Sequence, residues 1–95
     1  MYAVIRQYEF DRGRGEEVDR KVREIFVPLL KKAPGFVAYY WLDTGEGSGA
    51  SLSVFQSKAG ADESVRIAAQ FVKEQLAGIT FSSPRIVQGE VQAHG

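Results

Sequence analysis

Two extended stretches separated by a glycine-rich loop decide the fold: Phe36-Val37-Ala38-Tyr39-Tyr40-Trp41-Leu42-Asp43 and Ala50-Ser51-Leu52-Ser53-Val54-Phe55-Gln56. Both stretches are rich in aromatic and β-branched residues, which predicts β-strands. The loop from Thr44 to Gly49 contains three of the ten glycines of the chain, so it favours a reversal of direction. The sequence therefore predicts an antiparallel hairpin formed by the second and third strands of a sheet.

Further strands and two helices flank this hairpin. The β-rich stretches Tyr2–Glu9 and Arg85–Ala93 predict the first and fourth strands. A helix is predicted before the hairpin and another after it, so the order of elements is βαββαβ. This order is typical of the ferredoxin-like α+β fold, in which two helices cover one face of a four-stranded antiparallel sheet. We therefore predict a single domain that covers residues 1–95.

The two predicted helices are both amphipathic. Glu16–Lys32 has apolar residues recurring on one face and ends at Pro34-Gly35. Pro28 lies inside this helix and predicts a kink between Glu24 and Pro28, or a short second turn starting at Pro28. The second helix follows Ser57 as its cap and stops at Gly78. Its predicted apolar face consists of Val65, Ala68, Ala69, Val72 and Leu76.

The composition excludes several classes of function. Lys and Arg total 12, as do Asp and Glu, so the formal charge is zero and no basic surface for nucleic acid is predicted. Cysteine is absent, which excludes disulfides, thiolate catalysis and thiolate metal sites. The only histidine, His94, is next to last in the chain, so neither a metal site nor a cofactor is predicted. No signal peptide and no apolar run of about 20 residues is present, which predicts a cytoplasmic protein that does not enter a membrane.

The alternation of side chains along the strands predicts which residues share a face of the sheet. Apolar residues of the fourth strand suit the helix-covered side, and this choice places Ala3, Ile5 and Gln7 of the first strand beneath the helices. The opposite face would then carry a large apolar patch that a second copy of the chain could cover. The predicted homodimer interface consists of Tyr2, Val4, Arg6, Tyr8, Tyr39, Phe55 and Glu90.

The space between the sheet and the helices has two interpretations: a cavity that holds a ligand or water, or a core filled by side chains in which Gln7 bonds to backbone or solvent at the strand end. Gln7 is the one polar side chain that the chosen alternation directs toward the helices, where it needs a partner. The run Tyr39-Tyr40-Trp41 brings aromatic rings to both faces, and the alternation leaves open whether Tyr40 or Trp41 faces the helices. The candidate pocket residues are therefore Gln7, Tyr40, Trp41 and Phe71. No set of residues with catalytic spacing is present, so the catalytic residues stay unassigned.

Three segments resemble the dimeric α+β barrel superfamily, in particular its antibiotic-biosynthesis-monooxygenase-like branch. They are Met1-Tyr2-Ala3-Val4-Ile5-Arg6, then Phe26-Val27-Pro28-Leu29-Leu30 with Pro34-Gly35-Phe36-Val37-Ala38-Tyr39-Tyr40, and Ser53-Val54-Phe55 followed by Asp62-Glu63-Ser64. The resemblance covers nearly the whole chain. It implies two sheets packed face to face in a homodimer, with a ligand cavity in each subunit.

The resemblance does not imply a particular reaction, and two classes of function are open. One is a cofactor-independent monooxygenase that acts on a small aromatic or polyketide-like substrate, whose own anion reduces oxygen in a dry pocket. The alternative is a non-catalytic dimeric module with a ligand-binding or structural role. A fold alone does not decide between them, and the sequence contains no catalytic set that favours the first.

Overall fold

The computed structural model describes residues 1–95. The strands are β1 (Tyr2–Glu9), β2 (Phe36–Gly45), β3 (Ser48–Phe55) and β4 (Arg85–Glu90). They form one antiparallel sheet in the order β2-β3-β1-β4. The helical residues between β1 and β2 are α1 (Gly15–Lys21), a π-helical segment (Val22–Phe26) and α2 (Val27–Lys31), and α3 (Lys58–Gln75) joins β3 to β4. The predicted ferredoxin-like α+β fold is confirmed.

The irregularity predicted near Pro28 takes the form of the π-helical segment that precedes it. Proline has no N–H with which to bond the carbonyl four residues earlier, and its ring crowds that carbonyl. Val27 instead donates its N–H to the carbonyl of Val22, five residues back. Four-residue steps in an α-helix drift by about 40° each. The wider π-helical turn reduces this drift, so buried side chains at four-residue intervals stay on one line: Val18, Val22, Phe26 and Leu30.

The hairpin is tighter than predicted. β2 extends to Gly45 and β3 begins at Ser48, so Glu46 and Gly47 alone form the turn. Both have positive φ, 52° and 78°, as the two-residue turns that match the twist of paired strands require. The fourth strand is shorter than predicted, because it ends at Glu90 rather than Ala93.

Both helical layers pack on the same face of the sheet. The rings of Phe26 and Phe71 join the two layers, with centroids 5.0 Å apart. The buried face of α3 differs from the predicted one, since Ala69 is exposed and Phe71 is buried. The residues that α3 buries are Gly60, Ala61, Ser64, Ala68 and Phe71. None of the helices combines the length and the hydropathy of a membrane-spanning helix.

The predicted assignment of the two sheet faces is wrong. Val4 and Arg6 are buried beneath the helices, whereas Ile5 between them is 41% exposed on the opposite face. The prediction followed the apolar residues of β4, but β4 is an edge strand, and its Val87 lies on the helix-free face and is 56% exposed. The predicted interface residues therefore lie on the helix-covered face, with Glu90 at its exposed edge: Tyr2, Val4, Arg6, Tyr8, Tyr39, Phe55 and Glu90.

Candidate functional site

A small cavity lies between the sheet and the helices. Its volume is about 20 Å³, room for about one water molecule. The walls are almost entirely apolar, and the π-helical segment contributes Val22 and Phe26 to them. Such segments occur frequently at functional sites, because the wider turn shifts side chains out of α-helical register.

Arg6 is the only charged residue that lines this cavity. Its side chain is 1% exposed. The Nη2 group donates to Ser53 Oγ at 3.1 Å, Nη1 donates to the carbonyl of Ser64 at 3.3 Å, and Nε donates to Ser51 Oγ at 3.4 Å. All three acceptors are neutral, and no carboxylate forms a salt bridge with Arg6. The sheet thus places an uncompensated positive charge in an apolar interior.

Two tyrosines stand beside this guanidinium. Burial raises the pKa of Tyr39 far above its ordinary value, and the charge of Arg6 offsets this only in part. Burial likewise raises the pKa of Tyr8, again against the effect of Arg6. Both hydroxyls therefore remain protonated at neutral pH and can donate hydrogen bonds. Around the cavity Arg6 can only donate hydrogen bonds, the hydroxyls of tyrosine and serine can donate or accept, and no carboxylate is present.

An open groove adjoins the cavity. The groove has a volume of about 360 Å³ and shares Val22, Tyr39 and Trp41 with the cavity wall. The indole N–H of Trp41 donates to Asp19 Oδ1 on α1 at 2.8 Å. This hydrogen bond joins β2 of the sheet to α1 beside the groove.

Replacing Gly49 with Ala is expected to displace Trp41. A Cβ at this position would lie 2.5 Å from Trp41 Cζ2 and 2.6 Å from Cη2, which is closer than real atoms approach. We expect a red shift of the emission of Trp41, which is the only tryptophan. Overpacking of this kind also lowers the free energy of unfolding by about 1–3 kcal/mol. Gly78→Ala is the control, since nothing lies within 4 Å of its added Cβ. Unchanged emission in Gly49→Ala would show that Trp41 is not held against Gly49.

Asp19, whose carboxyl accepts the hydrogen bond from Trp41, has a shifted pKa. Burial raises the pKa of Asp19, the hydrogen bond from Trp41 lowers it, and the neighbouring Asp43 carboxyl raises it again. The net shift is upward. Ionisation of Asp19 is therefore less favourable in the folded chain than in the unfolded chain.

Replacing Asp19 with Asn is expected to change the pH dependence of stability. An acid whose pKa is raised on folding costs stability as pH rises from its unfolded pKa through its folded pKa. Asn keeps an acceptor for Trp41 but does not ionise, so the advantage of Asp19→Asn over the parent should be smallest in acid and grow toward neutral pH. Urea denaturation across this pH range measures the difference, and Glu16→Gln on the exposed side of α1 is the control. A constant difference at all pH values would contradict the raised pKa.

The predicted pocket residues divide between the two faces of the sheet. Trp41 and Phe71 line the cavity, and their role in binding stays a prediction. Tyr40 is 61% exposed and Gln7 is also exposed, and both lie on the helix-free face. The choice between Tyr40 and Trp41 that alternation left open is thereby made in favour of Trp41.

Sequence reasoning missed the polar centre of the site. The prediction placed Arg6 on the helix-free face, and its neighbour across the strands, Ser51 on β3, lies on the same face of the sheet as Arg6. The error lay in the side on which the helices pack. Two serines opposite an arginine on the neighbouring strand were the available signal, because hydroxyls can accept from a buried guanidinium.

Comparisons with known proteins place this fold among solved structures. No protein-family model and no curated protein sequence matches the chain. A protein of unknown function from Nitrosomonas europaea, NE2512, has a TM-score of 0.81 and 22% identity over 99% of this chain and 91% of its own. A dimeric ferredoxin-like protein from an uncultured marine organism has a TM-score of 0.74 and 15% identity, covering 100% of this chain and 98% of its own.

An enzyme is also among the similar structures. The monooxygenase from the gene ActVA-Orf6 of Streptomyces coelicolor, solved in complex with the ligand nanaomycin D, has a TM-score of 0.74. Its identity is 10%, over 98% of this chain and 88% of its own. These likenesses, all at 22% identity or less, show the fold of the single chain. The chain has the ferredoxin-like α+β fold, which it shares with the dimeric ferredoxin-like protein and with the ActVA-Orf6 monooxygenase.

Proposed function

We propose that the protein binds a small aromatic molecule between its sheet and helices and oxygenates it without a cofactor. The observation that carries this proposal is the apolar, aromatic-walled cavity with a single buried cation. Planar aromatic ligands fit such walls, and a few placed polar groups orient them. The similarity to the ActVA-Orf6 monooxygenase supports the oxygenase class at the level of the fold.

The ligand would occupy the cavity and the groove together. The cavity alone has room for about one water molecule, whereas the adjoining groove has about 360 Å³. Ligand pockets have volumes of about 300–1,000 Å³. Only the hydrogen bond to Asp19 holds the indole N–H of Trp41, so ligand entry past this side chain would break one polar contact.

The reaction would need no group beyond substrate and oxygen. The ionised substrate gives an electron to O₂, and the resulting radical pair joins to form a peroxide at carbon. Loss of water from this peroxide leaves a carbonyl, so a CH₂ group and O₂ yield C=O and H₂O. The apolar walls would exclude bulk water from these steps.

A non-catalytic ligand-binding module is the second candidate. The small volume of the closed cavity favours it, because most of the interior is already filled by side chains. Such a protein would bind the same aromatic ligands but consume no oxygen. The two candidates therefore differ in a measurable reaction.

Oxygen uptake with a panel of anthrones and hydroxynaphthalenes tests the proposal. We expect uptake that depends on protein and matches the quinone formed, and that falls in Phe71→Ala. Tyr40→Phe, on the helix-free face, is the matched control and should keep full activity. Binding without uptake would favour the non-catalytic module. Absence of both binding and uptake across the panel would overturn both.

We also propose that two copies pair through the helix-free face. Register places Tyr40, Leu52, Ile5 and Val87 side by side across all four strands, and we call these four the apolar row. Three of them are more than 40% exposed, namely Ile5, Tyr40 and Val87. A second copy related by a two-fold axis would cover this patch, as the dimeric ferredoxin-like protein of similar fold suggests. Sedimentation equilibrium should report a dimer at micromolar concentration, and a monomer there would contradict the pairing.

A further inference from the structure

The guanidinium of Arg6 has no counter-charge in this chain. The chain forms six ion pairs, and all of them lie among partly or largely exposed side chains away from Arg6. Arginine keeps its charge in proteins. An unpaired charge in an apolar interior is unfavourable unless a partner compensates it. The three neutral acceptors supply hydrogen bonds without compensating the charge.

The groups around the cavity determine whether a bound ligand would carry a positive or a negative charge. Arg6 can only donate, and its five N–H groups have three hydrogen-bond acceptors: Ser51 Oγ, Ser53 Oγ and the carbonyl of Ser64. Ser51 lines the same cavity, as do Tyr8 and Tyr39, whose hydroxyls stay protonated because burial raises the pKa of each. No aspartate or glutamate lines it. A cationic ligand would therefore meet a like charge and no acceptor carboxylate, whereas an oxyanion would meet several donors.

We propose that Arg6 makes this cavity a site for an oxyanion carried on a planar ring, with the charged oxygen at the guanidinium and the ring toward Trp41. Phenolate, enolate and ring carboxylate share this chemistry. The cavity beside Arg6 has room for one such oxygen, and the adjoining groove, which shares Val22, Tyr39 and Trp41 with the cavity wall, has room for a ring. Charge-assisted hydrogen bonds are shorter and stronger than neutral ones, so the ionised ligand should bind better than its neutral analogue. This inference rests on the proposed binding of an aromatic molecule at the same site.

Three nitroaromatic probes of similar size distinguish the contribution of a ligand's charge to binding from the contribution of its ring. They are nitrobenzene, which is neutral, 4-nitrophenol above its ionisation pH, and 4-nitrobenzoate. Each quenches tryptophan fluorescence, and Trp41 is the only tryptophan and lines the cavity. We expect one or both anions to bind roughly 10- to 100-fold more tightly than nitrobenzene, the range that hydrogen bonds to a charged group supply. Tighter phenolate identifies a hydroxyarene or enol as the ligand class, and tighter carboxylate identifies a ring acid.

Variants of Arg6 test whether the preference for anionic probes depends on this side chain. Arg6→Gln should remove the preference for the anions, and Arg6→Lys should keep part of it through its charge. Arg85→Gln is the matched control, because Arg85 is exposed and does not line the cavity. Circular dichroism of each variant verifies the fold, and the comparison of Lys with Gln remains decisive if either variant is less stable.

The outcomes distinguish the inference from the proposed function. If nitrobenzene binds as tightly as the anions, and Arg6→Gln changes neither, the oxyanion site is overturned while aromatic binding stands. If none of the probes binds to the parent or to any variant, aromatic binding fails and the oxyanion site fails with it.

Discussion

Replacing Arg6 with Met is expected to raise the free energy of unfolding of the ligand-free protein by about 1–3 kcal/mol, as when well-packed apolar residues replace buried charges in other proteins. Arg6 is 1% exposed and has only neutral partners. Met has a similar length and no charge to desolvate. The variant loses all three hydrogen bonds, to Ser51, Ser53 and the carbonyl of Ser64, but removal of the uncompensated charge should outweigh that loss.

Urea denaturation of parent and variant measures this gain. Each kcal/mol moves the melting temperature of a domain of this size by about 4–8 °C. Arg66→Met is the matched control: Arg66 pairs with Glu63 at the surface, where solvent screens such pairs and they contribute little, so this variant should be unchanged or slightly less stable. A large loss of stability in Arg6→Met would show that Arg6 is a structural residue whose hydrogen bonds outweigh its charge. An added oxyanion ligand should stabilise the parent and leave Arg6→Met unaffected.

A stabilising substitution at a buried position would also identify a conflict between stability and binding. A chain that retains a costly charge in its interior does so against its own folding free energy, and such conflicts are typical of binding and catalytic sites. The same reasoning applies to the π-helical segment, where Val22 and Phe26 depart from α-helical hydrogen bonding and line the cavity. Both departures from ideal structure meet at one place, which supports the assignment of the site.

The order and type of the elements were predictable because each depends on local signals. The β-rich run Phe36–Asp43, the amphipathic helix Glu16–Lys32 and the Pro-Gly stop all act over a few residues. The irregularity at Pro28 was predictable for the same reason, since the missing N–H is a property of one residue. The exact length of the hairpin turn was not, because positive φ at Glu46 is an unusual choice for a residue with a side chain.

The side of the sheet that faces the helices was not predictable from alternation. Both faces carry apolar and aromatic residues, so period-two reading groups Val4 with Arg6, and Ile5 with Gln7, without telling which group is inside. The buried face contains an arginine, against the usual exposure of charged side chains. The helix-free face contains Ile5 and Tyr40, which suits a face that a partner covers. The site buries a charged residue, and the proposed interface exposes apolar ones. Together these two exceptions to the usual burial pattern led the prediction to exchange the two faces.

Replacing Ile5 with Glu is expected to convert the proposed dimer into a monomer. Ile5 lies on the central strand β1, where it is opposite Leu52 on β3 and Val87 on β4 at the middle of the apolar row. A two-fold axis places both copies of the new carboxylate in one interface. Burial of a polar group without a partner costs about 2–3 kcal/mol or more for each copy, so the dissociation constant should rise by roughly 1,000-fold or more.

Sedimentation equilibrium over a range of protein concentrations measures this change. The monomeric variant should stay folded, because Ile5 is 41% exposed in the single chain and its side chain takes no part in the cavity. Leu29→Glu is the matched control, since Leu29 is 45% exposed on α2, on the opposite side of the sheet. A parent dimer that survives Ile5→Glu but is lost in Leu29→Glu would place the interface on the helices. Because the helix-free face lies away from Arg6, the monomeric variant should also keep its preference for anionic probes, and this separates the assembly from the binding site.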